Sequence, residues 1–412
     1  MTAEPPVPSG DPSLQTPAWL DAEPDRLLEF ARRAAHPRGG FAWLDATGSP
    51  FLDRPVETWV TCRMTHVFAL AATAGRDDVR GLVDHGVGAL RGSLRDAEHG
   101  GWFAAVDDGG PPSTDKRAYD HAFVVLAAAS ASVAGAPGAA ELLDEALATF
   151  EHRFWREGEG RVAEEWDRTW THLEDYRGVN ANMHAVEAML AVADVVGDDV
   201  WAQRAARIVE QVVHDIARNH GWRLPEHFDA DWQVRADYNR SDPAHPFRPF
   251  GVTIGHLLEW SRLALHVRHG LGAQAPAWLL DDARSLFDTA VRDGWAVDGA
   301  DGFVYTTDFE GRPVVTQRMH WVAAEAIATA YALHQATGEE QYAEWFVRWC
   351  AYARAHLVDL EGGSWHHELD AHNRPAHTVW EGKPDVYHAY QAAILPRLGP
   401  IASFAGAFRS PT

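Results

Sequence analysis

The chain has 412 residues, of which 46% are hydrophobic and 23% charged, enough apolar material for a large folded core. A formal net charge of -23 would repel polyanions, so neither nucleic acid nor an anionic membrane surface is an expected partner. Only two cysteines, Cys62 and Cys350, are present, which excludes a disulfide framework and a cysteine-based zinc module.

The opening MTAEPPVPSGDPS is polar and Pro-rich rather than basic-then-apolar. Residues 1–17 therefore read as a flexible tail, and the chain as cytoplasmic and soluble. A glycine-led strip then recurs, mostly with an aromatic next: GGFAWLDATGSP, GGWFAAVDDGGPP, EGRVAEEWDRTW, HGWRLPEHFDADW, DGFVYTTDFEGRP and GGSWHHELDAHNRP. Their anchors, Gly40, Gly101, Gly160, Gly221, Gly302 and Gly363, lie 61, 59, 61, 81 and 61 residues apart. Six units of about sixty residues fill the chain, the fourth interval carrying an insertion of roughly twenty. Between the strips run Ala/Leu/Val-rich stretches of helical period, such as DHAFVVLAAASASV, ANMHAVEAMLAVADVV and HWVAAEAIATAYALHQATG. The most apolar run, from Ala122, is broken by Gly and Pro and reads as a buried helix, not a membrane span. Each unit fits two helices joined by a short extended or hairpin-like loop. Units this small cannot close a core alone, so neighbours must stack. The expected fold is all-α: an (α/α)₆ barrel forming one domain over residues 18–400, with residues 401–412 as a C-terminal tail.

Each unit sets a polar group at the start of a helix that should be buried. These are Arg63, Tyr119 with His121, His184, His256, His320 and His388. In a closed barrel they would converge on one mouth. In GVTIGHLLEWSRL, His256 and Glu259 stand three apart on one helical face, the carboxylate placed to orient the ring. His184 and Glu187 repeat the spacing. Histidine suits proton transfer because its ordinary pKa lies near working pH. The 18 tryptophans add indole faces on which sugar rings stack. A glutamate three from a histidine resembles half of a di-metal site, and His366, His367 and His372 are further ligand types. No helix supplies the extra bridging carboxylate and no His-Glu-x-x-His occurs, so no metal and no other cofactor is expected. A Gly-x-Ser-x-Gly elbow and a phosphate-cradling loop are also missing from the sequence.

In this order and spacing, ETWVTCRM, NANMH, FRPFGVTIGHLLEWSRL, RMHW and KPDVYH resemble the N-acylglucosamine 2-epimerase superfamily, above all its mannose isomerase and sulfoquinovose isomerase members. The resemblance runs from about Leu20 to about Leu398. It implies metal-free isomerisation or epimerisation of an aldose by paired histidines on an (α/α)₆ barrel. Carried over position by position, His256 and His388 would be the acid/base pair, with Glu259 supporting His256. Arg63, Tyr119, Asn180, His184, Trp321 and, more weakly, Arg248 would hold sugar hydroxyls. Ile254 departs from the pattern, standing where many relatives have proline.

The implied chemistry is ring opening followed by removal of the carbon 2 proton to give a cis-enediol. Return of a proton to carbon 1 yields the ketose, and to the other face of carbon 2 the epimer. The expected substrate is a monosaccharide, D-mannose to D-fructose or D-lyxose to D-xylulose, handled by a monomer or homodimer. A sulfoquinovose isomerase, a 2-epimerase of the N-acylglucosamine, mannose or cellobiose type, a glycoside hydrolase or lyase, and a non-catalytic sugar binder are the alternatives. A sulfonated substrate would need a fixed cation at the far end of the pocket. Arg240, Arg248 and Lys383 are the candidates, the first two flanking the Pro-rich insertion DYNRSDPAHPFRPF, which is expected as a lid.

Overall fold

Stretches rich in Ala, Leu and Glu, which lose little freedom in a helix, form helices throughout. In a computed structural model that describes residues 16–408, twelve long helices alternate between two layers. The inner layer is α2 (Thr58–Thr73), α4 (Ala118–Val133), α6 (Val179–Val196), α8 (Ile254–Leu271), α10 (His320–Thr337) and α12 (Tyr387–Leu398). The outer layer is α1 (Ala18–Ala31), α3 (Arg80–Arg91), α5 (Ala139–Thr149), α7 (Asp199–Val209), α9 (Trp278–Gly294) and α11 (Glu340–Tyr352). Burial sorts them. In α2 every residue from Thr58 to Ala72 is buried, whereas α3 and α7 bury a single apolar stripe. Each inner helix packs on the next, and α12 returns to α2, closing the ring. Outer helices pack on the inner helix before them, α1 taking α12. The expected (α/α)₆ barrel is the observed architecture.

All long loops lie at one end, where each outer helix hands over to an inner one. The six anchor glycines of the repeat sit there with φ between 62° and 116°, the left-handed region that a side chain disfavours. Short ladders form at this end, but mostly between units rather than within them. Val56–Glu57 pairs with Ala105–Val106, Lys116–Arg117 with Glu165–Trp166, and Tyr176–Gly178 with His227–Asp229. Val252–Thr253 pairs with Thr306–Thr307 and Arg318–Met319 with Glu368–Leu369. The first amide of an inner helix then donates to the following unit: Thr58 to Ala104, Ala118 to Glu164, Val179 to Glu226, Ile254 to Tyr305 and His320 to His367. Lys383 N–H, donating to the Leu44 carbonyl at 2.8 Å, joins the sixth unit to the first. Orphan helix-start donors are thereby satisfied by the neighbouring repeat.

Residues 401–408, expected as a tail, pack instead. Ile401 and Phe404 are buried, and α13 (Phe404–Ala407) is capped by Ser403, whose hydroxyl also meets Asp194 of α6. Of the N-terminal tail, residues 1–15 lie outside the described residues. Among the described residues no helix is long and apolar enough to cross a membrane.

Candidate active site

Because inner helices start at the looped end, the second or third residue of each reaches the barrel mouth. Tyr119, Asn180, Trp321 and His388 are second in their helices and His256 is third. One turn deeper come Arg63, His184 and Glu259. All eight line one cavity, about 470 Å³ with its open mouth included. Its roof is the insertion of the fourth loop, which contributes Pro246, Phe247 and Pro249, with Trp59 and Trp380 alongside. Phe247 stands edge-on to Trp59, Tyr119 and Trp380, so the insertion covers the mouth as expected.

The two histidines are held alike, each by a carboxylate from outside its own helix: Glu226 on the loop before α8 and Glu325 on α10 of the preceding unit. His256 donates through Nδ1 to Glu226, 2.9 and 3.0 Å from its two oxygens. His388 donates through Nδ1 to Glu325 Oε1 at 2.8 Å. A carboxylate can only accept, so each ring keeps its hydrogen on Nδ1 and leaves the Nε2 lone pair for the cavity. Trp321 lies against both rings, at 5.3 Å from His256 and 5.7 Å from His388. Burial and the Arg63 charge pull His388 below the ordinary imidazole value, against the raising effect of Glu325. The ring is a neutral base at pH 7. Burial likewise takes His184 down to about 4.

Arg63 supplies the positive charge. Its guanidinium is ringed by the faces of Trp59, Phe123 and Tyr387 and bonds to Asp385 at 3.3 Å and the Tyr119 hydroxyl at 3.0 Å.

Glu259 does not support His256, as the sequence suggested. The first turn of α8 tips His256 sideways toward Glu226 on the preceding loop, while Glu259 points into the barrel axis. There its oxygen lies 3.9 Å from His184 and 3.7 Å from Arg262. Burial, then the charge of Glu325, push the Glu259 carboxyl well above the usual range. The register of mouth groups also differs in two units. His121 turns outward, accepting from Trp102 N–H and packing on Phe154 and Trp170. His320 stacks on His367 at 3.7 Å, and its neighbour Trp321 takes the cavity position. Arg248 misses this cavity too. It lines a second chamber beside it, over the Tyr176 ring and 3.3 Å from Glu174.

None of the candidate cations is free for a sulfonate. Lys383 bonds to Asp359 and the Gly363 carbonyl, both at 2.6 Å, and Arg240 is an exposed partner of Asp237. His366 pairs with Asp359, His367 with the His320 stack, and His372 is exposed, so they form no common ligand set. Two other groups, His184–Glu187–Glu259 and Glu259–Glu325–His388, bring ligand-type atoms within 4.8 Å. Arg262 already stands in this cluster as the counter-ion of Glu325, at 2.7 Å, and lies 3.7 Å from Glu259, so the place of a cation is taken by a guanidinium.

Glu226 and Glu325 are the residues that sequence reasoning missed. Glu226 lies in an irregular loop with no periodic signal. Glu325 carries one: it is a lone carboxylate in the apolar helix HWVAAEAIATAYAL, as Glu259 is in its own.

Residues 39–392 match the family model described as N-acylglucosamine 2-epimerase (GlcNAc 2-epimerase). The chain is 56% identical to a D-mannose isomerase of Thermobifida fusca, over 95% of this chain and 96% of that one. It is 49% identical to a D-mannose isomerase of Pseudomonas cannabina pv. alisalensis, over 96% of each. A crystal structure of D-mannose isomerase superposes with a TM-score of 0.86 at 27% identity, covering 94% of this chain and 99% of that one.

Proposed function

Because the chain belongs to the N-acylglucosamine 2-epimerase family, we propose that it is an aldose–ketose isomerase that interconverts D-mannose and D-fructose by histidine acid/base chemistry. The observation that carries this reading is the pair of imidazoles, each fixed by a separate carboxylate, that face one cavity alongside a buried guanidinium. The similarity to two D-mannose isomerases at 56% and 49% identity supports the choice of sugar. So does the pairing of every candidate cation with an acidic residue, which suits a neutral hexose. The two cysteines, both buried and unpaired, accord with a cytoplasmic setting. The free monosaccharide is its ligand, and a monomer or homodimer suffices because one ring of helices completes the cavity.

The reaction proceeds as follows. His256 and His388 move the proton between the anomeric hydroxyl and the ring oxygen as the sugar opens. The Nε2 lone pair of His388 then takes the carbon 2 proton, acidified by the carbonyl at carbon 1. Negative charge grows on the enediolate oxygens, where Arg63 and the Tyr119 hydroxyl stabilise it. The imidazolium of His388 is stabilised by Glu325 and returns the proton to carbon 1, while the proton of the carbon 2 hydroxyl passes to the carbon 1 oxygen, leaving the carbonyl at carbon 2. Histidine thus serves as base and then as acid, a contribution of roughly 10²–10⁴-fold. The roof over the cavity limits exchange of that proton with water.

NMR of mannose incubated in deuterated water tests this reading. Fructose should accumulate, and His388→Asn should abolish both its formation and deuterium exchange at carbon 2. Glucose as the product would instead show an epimerase, and neither product nor exchange would show a binder.

A further inference from the structure

Beneath the two histidines lies a cluster that the reaction above leaves partly unexplained. One fixed cation, Arg262, stands among three carboxyls, Glu187, Glu259 and Glu325, and its side chain is 1% exposed. Its Nε donates to Glu325 at 2.7 Å, while Nη2 is 3.7 Å from Glu259 and neither Nη makes a hydrogen bond. Oxygens of Glu259 and Glu325 come within 4.8 Å of each other. Two carboxylates that close in a dry interior do not both ionise, so the pair holds one proton.

We propose that Arg262 is a positioning residue that decides which of the two carboxyls keeps that proton. Bonded directly to Arg262, Glu325 stays ionised and accepts from His388 Nδ1. Glu259 keeps the proton and faces the cavity as a donor. The proposal rests on His388 being the base, because it explains why that base faces the sugar with a lone pair. Among the described residues no other group is placed to do this. From α2, Arg63 answers to Asp385, and His66 bonds to Ser130 and is held neutral by burial at about 4. From α6, His184 is held neutral, and Glu187 accepts from Tyr387 and Gln391 of α12. His266, next along α8, is held neutral at about 3. Burial alone would protonate Glu325, but Arg262 and then His388 outweigh it and hold the carboxyl at about 2. Without Arg262, a proton from solvent enters Glu325, whose O–H then donates to Nδ1. The ring hydrogen moves to Nε2, and the base is turned round.

The test is a cycle of Arg262→Met, Glu325→Gln and the double variant, each with a kcat-against-pH profile. A glutamine accepts from Nδ1–H through its amide oxygen and cannot titrate. Arg262→Met alone should move the acid limb up by at least one pH unit and cut kcat at pH 7 at least tenfold, with KM within about threefold. In the Glu325→Gln background the same substitution should leave the limb where it is. An unmoved limb in the single variant, or an equal move in both backgrounds, overturns the proposal. The ¹⁵N shifts of His388 in the unaltered protein add a check that needs no variant. Hydrogen on Nδ1 is expected, and hydrogen on Nε2 overturns it. That measurement requires no turnover, so a failure to isomerise mannose would count against the proposed function alone.

Discussion

Gly255 precedes His256, one of the two histidines proposed to move protons, and its φ is not what makes it glycine. A methyl placed there would lie 2.3 and 2.5 Å from two ring atoms of Trp321 and 2.7 Å from Val322, about 1 Å inside ordinary contact. Trp321 packs against both His256 and His388, so Gly255→Ala must push apart the surfaces that set the two rings. Overpacking of this kind costs about 1–3 kcal/mol of stability, which a barrel of this size survives. Misplacing a reacting group by about 1 Å costs roughly 10²-fold in rate, equivalent to about 2.7 kcal/mol of barrier. The expected variant is folded, melts a few degrees lower and has kcat/KM for mannose about a hundredfold down, mostly in kcat. Fructose formation in a coupled assay and a thermal melt measure the two effects. Activity within threefold of the parent would refute the claim that Trp321 sets the histidine geometry.

Removing Glu226 by Glu226→Gln should slow turnover about 10–100-fold through the lost orientation of His256. Glu259→Gln should act chiefly on substrate affinity, and a KM-against-kcat comparison separates the two. Acid should destabilise the protein. Burial holds His66 and His184 at about 4 and His121, His266 and His320 at about 3, so the unfolded chain binds more protons below an ordinary value near 6.5. That stability is lost as pH falls from about 6.5 toward 3. Asp120 and Glu164, raised by burial to about 7, lose stability as pH rises and oppose the trend without matching five histidines. Urea melts from pH 7 to 4 should show a falling midpoint, and a flat one would show the histidines to be solvated. Specificity for mannose over sulfoquinovose should exceed tenfold, or about 1.4 kcal/mol, as competing-substrate rates would reveal. Prolonged chelation followed by buffer exchange should leave mannose turnover unchanged.

The barrel was legible because its signal is repetition, and a glycine needed for a left-handed turn recurs six times. Helix faces were legible too, which is why Arg63, His184 and the two histidines were found on the inner layer. Contacts from loop to helix and from one unit to the next were not. His256 and Glu259 share a helix face, yet the bond His256 makes is to Glu226, thirty residues upstream, and His388 meets Glu325, 63 residues away. Counting from the glycines also misplaced one unit. Loops of unequal length separate glycine from helix, and α10 begins at His320 itself, so Trp321 rather than His320 is its second residue. The departure at Ile254 was readable as a residue but not as a contact: its amide donates to Tyr305, a bond a proline there could not make.

The seam between the last unit and the first has a consequence for biosynthesis. Glu23 accepts from the Trp365 indole, Arg26 holds the carbonyls of Asp359 and Ser364, and Trp43 donates to Glu381. The opening helix therefore waits for partners more than 300 positions away, made on the order of tens of seconds later on the ribosome. His388 is carried by the helix that completes this seam. A nascent chain stopped before this helix has neither a shut ring nor the histidine proposed as its base, so an aborted product is an unfinished circle with two unpaired edges.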